Sequence, residues 1–247
     1  MENMQQGSLV GQVAIVTGAG RGIGRAIVRR FCQAGASVVA VARRQEDLDE
    51  LVGEMEMVGS KIAALAADIT QPNSGEQALN LALAKFGRLD ILVNNAGIAI
   101  YRPIWEQTLE DYDTMMDTNM RGTFIFTKAV VPHMMTARSG AIIMLASMAG
   151  TRGFPNESGY CASKFAQVGF SQSLDQELRP YGIKVTAVCP GGVATDLALG
   201  TGRTPESVAQ ADYLQPDEVA HVALMVASQP ANSRIMQVLM RPMSEPL

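Results

Sequence analysis

Tyr160 and Lys164 stand four residues apart, and Ser147 precedes the tyrosine by thirteen. On a helix, side chains at i and i+4 share a face. A helix over 160–170 would therefore hold a phenol and an ammonium within reach of each other. A free phenol titrates near pH ~10. A neighbouring cation favours its anion, and bringing the phenol to neutrality takes roughly 4 kcal/mol of differential interaction. Such a tyrosine could give or take a proton near neutral pH. Ser147 ends the apolar run 141–146, which reads as a buried strand, and its hydroxyl could hold a carbonyl or alcohol oxygen. Alone, this spacing occurs by chance on many surface helices. Its meaning depends on the elements that precede it.

The first of these is a glycine loop. Residues 13–16, all apolar, read as a buried strand that runs into Thr17-Gly18-Ala19-Gly20-Arg21-Gly22-Ile23-Gly24. A helical pattern follows over 25–33. Strand, glycine loop and helix are the context in which a loop cradles a dinucleotide. Gly18 permits the tight turn, Gly22 lets the backbone approach a pyrophosphate, and Gly24 allows close packing of helix on strand. The helix N-terminus offers unpaired N–H groups and a partial positive charge to phosphates. Asn94-Asn95-Ala96-Gly97 closes a fourth strand, where small residues let the backbone approach a ligand at the strand's carboxyl end.

Together, the glycine loop, the Asn94–Gly97 element, Ser147 and the Tyr160/Lys164 pair resemble the short-chain dehydrogenase/reductase family, from about residue 11 to 239. Asn119, with Gly122 three residues on, resembles the family's Asn-x-x-Gly element. The resemblance implies a catalytic tetrad of Asn119, Ser147, Tyr160 and Lys164. Tyr160 would donate the proton, Ser147 would orient the carbonyl, and Lys164 would lower the tyrosine pKa and hold the nicotinamide ribose. Asn119 would support a water linking Lys164 to bulk solvent. It also implies a cofactor site of Gly18, Gly20, Arg21, Gly22, Ile23, Gly24, Asp68, Ile69, Asn95, Ala96, Gly97, Tyr160, Lys164, Pro190, Gly191, Val193 and Thr195. Asp68 and Ile69 would lie against the adenine, Val193 by the carboxamide and Thr195 by the phosphates. Residues 196–215 would form a short substrate lid, suggesting an open site or a small substrate. The ending 236–242 lacks the usual Asp-Gly pair and looks more like the 3-hydroxy acid branch, which puts the usual terminal tetramer contact in doubt.

The end of the second strand bears on the cofactor. An acidic residue there would accept hydrogen bonds from a ribose 2′-hydroxyl. Ala42 takes that place, followed by Arg43 and Arg44. A guanidinium can grip a 2′-phosphate in a bidentate way. Arg43 and Arg21 are expected to serve NADP(H); Arg44 reads equally as a cofactor residue or a solvated charge.

The chain has 247 residues, 47% apolar content and a net charge of −4. That suits one dinucleotide-binding domain over 1–247. No basic run suggests nucleic acid, no polybasic or long apolar segment suggests a membrane, and the opening 1–8 lacks an apolar signal core. Cys32, Cys161 and Cys189 show no metal-type spacing and read as small buried groups, so no metal is expected. A reducing cytoplasm is the expected home. Strands beginning near Val13, Val38, Ile62, Leu89, Ala141, Ile183 and Ile235 alternate with helical patterns. That alternation predicts an α/β, Rossmann-type doubly wound parallel sheet, for which the family order is 3-2-1-4-5-6-7. One long helix is expected within 105–140.

The expected function is NADP(H)-dependent interconversion of a ketone, 3-oxoacyl or small, and a secondary alcohol, by a homo-oligomer, tetramer before dimer. The alternatives are an NAD-dependent alcohol, sugar or hydroxy acid dehydrogenase, and a nucleotide sensor without turnover.

Overall fold

The computed structural model describes residues 7–245; residues 1–6 of the polar opening lie outside that range. Seven parallel strands form one sheet in the order 3-2-1-4-5-6-7. They are β1 (Val13–Thr17), β2 (Ser37–Ala42), β3 (Ile62–Ala66), β4 (Ile91–Asn94), β5 (Gly140–Leu145), β6 (Ile183–Pro190) and β7 (Gln237–Met240). The connecting helices are α1 (Gly22–Gln33), α2 (Gln45–Met57), α3 (Ser74–Phe86), α4 (Leu109–Met116), α5 (Gly122–Ala137), α6 (Ser158–Leu178), α7 (Pro205–Gln210) and α8 (Pro216–Ala227).

A strand turns successive side chains to opposite faces, and here both faces are buried. In β1, Ala14 and Val16 join the core beneath α1, α2 and α8; Val13 and Ile15 join the one beneath α3, α5 and α6. In β5, Ala141, Ile143 and Leu145 face the first core, Ile142 and Met144 the second. This two-sided burial explains why the strands read as unbroken apolar runs. Phe31 and Phe126 are fully buried, one in each core. Met115 and Met134 are also fully buried.

Three boundaries differ from expectation. Helix α1 begins at Gly22 rather than Arg25, because the last two glycines of the loop already form its first turn. Strand β4 starts two residues after Leu89: the Asp90 carboxylate, not a ladder carbonyl, takes the Val13 N–H at 2.8 Å. Strand β7 starts two residues after Ile235, whose carbonyl is taken by the Thr186 hydroxyl. The helix expected within 105–140 is interrupted by a π-helical turn, Asp117–Arg121. That turn contains Asn119, in keeping with the tendency of π turns to mark functional sites.

Candidate active site

The carboxyl ends of the strands open into a cleft of about 500 Å³. The glycine loop forms one end. Gly18 and Gly22 have φ of +64° and +54°, the left-handed region that favours glycine. A Cβ at Gly24 would lie 2.1 Å from the Gly18 carbonyl oxygen. Gly24 therefore packs against the loop as well as carrying the helix. Thr17 and Asn95 brace this loop from behind. The Thr17 hydroxyl accepts the N–H groups of Asn95 and Ala96 at 3.0 and 3.1 Å, while Asn95 Nδ2 donates to the Thr17 carbonyl at 2.8 Å. Asn95 thus holds the loop in place, a role that spacing alone did not reveal.

Gly22 packs against Thr195, which lies beyond β6. Arg21, at the N-cap of α1, makes no side-chain cap bond, so the first N–H groups of the helix remain open to an anion. Its guanidinium instead reaches Asp196 at 3.3 Å across the mouth of the cleft. Both partners are well exposed, and such pairs are worth only ~0–1 kcal/mol. Arg44 is held by the Asp47 carboxylate, which favours the solvated-charge reading. Asp47 itself lines the cleft beneath Gly20. Arg43 is exposed at the cleft edge, and its charge helps hold the Asp68 carboxyl below its usual range, behind the larger effect of the Thr70 N–H. Ile69 is buried beneath Asp68 and packs against Gly122.

Tyr160, Lys164, Ser147, Pro190, Gly191 and Val193 line the cleft together. Lys164 is 4% exposed. Its Nζ donates to the Leu145 carbonyl at 2.9 Å and to Gln167 Oε1 at 2.8 Å. Gln167 is fully buried, and its Nε2 donates to the Asn119 carbonyl at 2.7 Å and to the Thr123 hydroxyl at 2.9 Å. Thr123 also donates to the Asn119 carbonyl. The Gln167 carboxamide joins Lys164 to the Asn119 backbone carbonyl. The Asn119 side chain faces elsewhere. It grips Ile98 by both backbone groups, at 2.8 and 2.9 Å, and donates to Ser163 Oγ. Gln167 was not anticipated, although its position three residues after Lys164 puts both on one helix face.

Burial holds the Tyr160 phenol above its ordinary value, against the Ser147 hydroxyl facing it, which pulls it back. Lys164 lies 5.7 Å from the phenol ring centroid, and burial pulls its own pKa down to about 8. Desolvation is the largest cause of both shifts.

The segment 196–215 packs along one side of the cleft. The Leu214 N–H meets the Gly192 carbonyl at 3.0 Å, and the Thr201 carbonyl accepts the Tyr101 N–H at 2.7 Å. The segment brings Arg203 and Tyr213 into the cleft, opposite Tyr101 and Glu157. The tail folds back as well: Glu245 accepts the Gly192 N–H at 2.8 Å. Cys32, Cys161 and Cys189 are buried free thiols. No group of metal-ligating side chains occurs among the described residues, nor any helix long and apolar enough to cross a membrane.

Known proteins are similar to this chain in sequence and in fold. The family model for short chain dehydrogenases matches residues 12–205. A 3-oxoacyl-[acyl-carrier-protein] reductase of Synechocystis sp. is 37% identical over 92% of this chain and 94% of its own length. The closed form of a serine dehydrogenase complexed with NADP+ superposes with a TM-score of 0.88 at 33% identity, covering 96% of this chain and 97% of that one. A metagenomic short-chain oxidoreductase in complex with NADP gives 0.82 at 32%, covering 96% and 100%. This chain belongs to the short-chain dehydrogenase/reductase family and is an oxidoreductase.

Proposed function

We propose that the protein is an NADP(H)-dependent reductase or dehydrogenase interconverting a ketone and a secondary alcohol. The observation that carries this reading is the convergence of Ser147, Tyr160 and Lys164 at the cleft, beside a glycine loop whose close contacts exclude side chains. A Cβ at Gly18 would lie 2.8 Å from Ala96 Cα, so the bare backbone there suits a pyrophosphate. The whole chain serves as one dinucleotide-binding domain. When bound, the nicotinamide supplies or accepts the hydride.

Ser147 and Tyr160 present two hydroxyls to the reacting oxygen. Tyr160 gives it a proton in reduction and takes one in oxidation; its raised pKa keeps it protonated for the reductive direction. Lys164 has three donors, of which two are spent on Leu145 and Gln167. The third serves the cofactor's ribose and steadies charge that develops on the phenol. Asn119 and Gln167 position the lysine without touching the substrate. Glu245 and Tyr213 stand beside Gly192, near the end of the cleft assigned to the carboxamide.

Arg43 and Arg21 favour the 2′-phosphate. Arg21's exposed bond to Asp196 is weaker than a charge-assisted contact to phosphate, worth ~1.5–3 kcal/mol. The relatives complexed with NADP support this choice. Those named for 3-oxoacyl carriers and for serine support a small oxo or hydroxy acid derivative as substrate. Phe124 on α5 and Phe165 on α6 are 46% and 47% exposed. These exposed rings support association of copies of the chain through α5 and α6.

Replacing Tyr160 by Phe removes only the hydroxyl. Turnover of NADPH with a ketone should fall about 10²–10⁴-fold, with cofactor affinity nearly intact; retention of more than about a tenth of kcat would contradict the assignment. Arg43→Asp should lower the kcat/KM for NADPH about ten- to a hundredfold relative to NADH. A wild type preferring NADH, or a ratio unmoved by the substitution, would make Arg43 a solvated charge. In sedimentation at micromolar concentration the protein should run as a homo-oligomer, with the tetramer expected; a monomer would remove α5 and α6 as pairing surfaces.

A further inference from the structure

Arg203 is the guanidinium inside the cleft that no residue of the tetrad accounts for. It lies in the turn before α7, paired by backbone with Leu199 and stitched to the loop after β4. The Thr201 hydroxyl donates to the Ala99 carbonyl at 2.9 Å, and the Tyr101 N–H meets the Thr201 carbonyl. A Cβ at Gly202 would fall 2.4 Å from Tyr101 Cβ, so this turn is pressed onto the tyrosine. The guanidinium sits 5.0 Å from the Tyr213 ring centroid and 5.8 Å from that of Tyr101. Tyr101 in turn meets Tyr160 edge to face, with centroids 5.7 Å apart. Arg203 is therefore held by aromatic rings, one ring removed from the proton donor.

Its hydrogen bonding is incomplete. A guanidinium carries five N–H donors, and the single bond found among the described residues is a long one, 3.4 Å to the Val193 carbonyl. No described carboxylate lies within ion-pairing distance of it. The acidic side chains that share its cleft wall do not serve it. Glu245 is spent on the Gly192 N–H and on Arg241. Glu157 is pushed up to about 7 by burial and so carries only part of its charge at neutrality. Two rings hold a planar, doubly donating fork in the cleft, and that fork matches a carboxylate.

We infer that Arg203 anchors a free carboxylate on the substrate, so that the natural substrate is a short oxo or hydroxy acid rather than a neutral ketone or an acyl thioester. This rests on the ketone–alcohol reading of the site above. The tyrosine rings supply the rigid walls, and the carboxylate sets which carbonyl of the molecule reaches Ser147 and Tyr160.

The test compares acetoacetate with its methyl ester and with an acetoacetyl thioester, using NADPH and wild type, Arg203→Leu and Arg203→Lys. Wild type should favour the acid in kcat/KM. Arg203→Leu should lower the acid-to-ester ratio about ten- to a hundredfold. Arg203→Lys should lower it in part, since an ammonium keeps the charge but not the paired donors, and it carries the test should the leucine variant fail to fold. Calorimetric binding of 3-hydroxybutyrate to the NADP+ complex gives a second readout, expected to weaken by a similar factor. Turnover of ester or thioester with no preference for the acid, or a ratio unmoved by both substitutions, overturns the anchor and leaves the reaction standing. Arginine-dependent binding of the acid without turnover upholds the anchor and removes the reaction. Neither binding nor turnover of any of these removes both.

Discussion

A buried ammonium needs acceptors, and the catalytic end of this molecule is organised around supplying them to Lys164. Removing a charge from water costs several kcal/mol unless hydrogen bonds replace the lost hydration. Two carbonyl-type oxygens do so here, one from the end of β5 and one from Gln167. Gln167 can present its oxygen to the lysine only because its nitrogen is fixed at the other end by Asn119 and Thr123. The Asn119 carbonyl, in the π turn, accepts from Gln167 Nε2 and from the Thr123 hydroxyl. The chain of dependence runs from an irregularity between α4 and α5, through one carboxamide of α6, to the ammonium and the face of the cleft.

The cofactor end follows the same logic with backbone in place of side chains. Thr17 and Asn95 tie the end of β1 to the end of β4, and that tie sets the glycine loop. Its glycines are needed for space: a Cβ at position 18 or 24 would collide with backbone. The charges at the rim are mixed. Arg21 and Arg44 face Asp196 and Asp47, and Arg43 stands near Asp68. In such a field the 2′-phosphate would be distinguished by exchange of weak exposed pairs for stronger charge-assisted bonds.

The strands and the glycine loop were legible because their signals are local: apolar runs bounded by turns, and glycines where no other residue fits; the strand order followed from the family resemblance. The approximate places of Ser147, Tyr160 and Lys164 were legible for the same reason. Asp90 and Thr186 shifted two strand starts by competing for backbone groups across the sheet, which one-dimensional patterns do not record. The π turn left no mark in the residues 117–121. The burial of Tyr160 and Lys164 was not legible, because spacing reports proximity and not burial. Arg203 and Glu245 reach the cleft from segments distant in sequence, and only the folding of residues 196–215 and of the tail brings them there. Gln167 alone was within reach of the sequence, three residues past Lys164 on the same helix face.

Gln167 holds the Lys164 ammonium in place. Replacing Gln167 by Leu removes one of the two acceptors. The ammonium is then less favoured, and the lysine pKa moves below about 8. Ketone reduction should be followed as kcat against pH, together with NADPH affinity, in Gln167→Leu and in Gln167→Glu. In the leucine variant the descending limb of the profile should move to lower pH and NADPH should bind more weakly. In the glutamate variant, whose carboxylate favours the ammonium, the limb should move to higher pH. Profiles and affinities that match wild type in both variants would contradict the account.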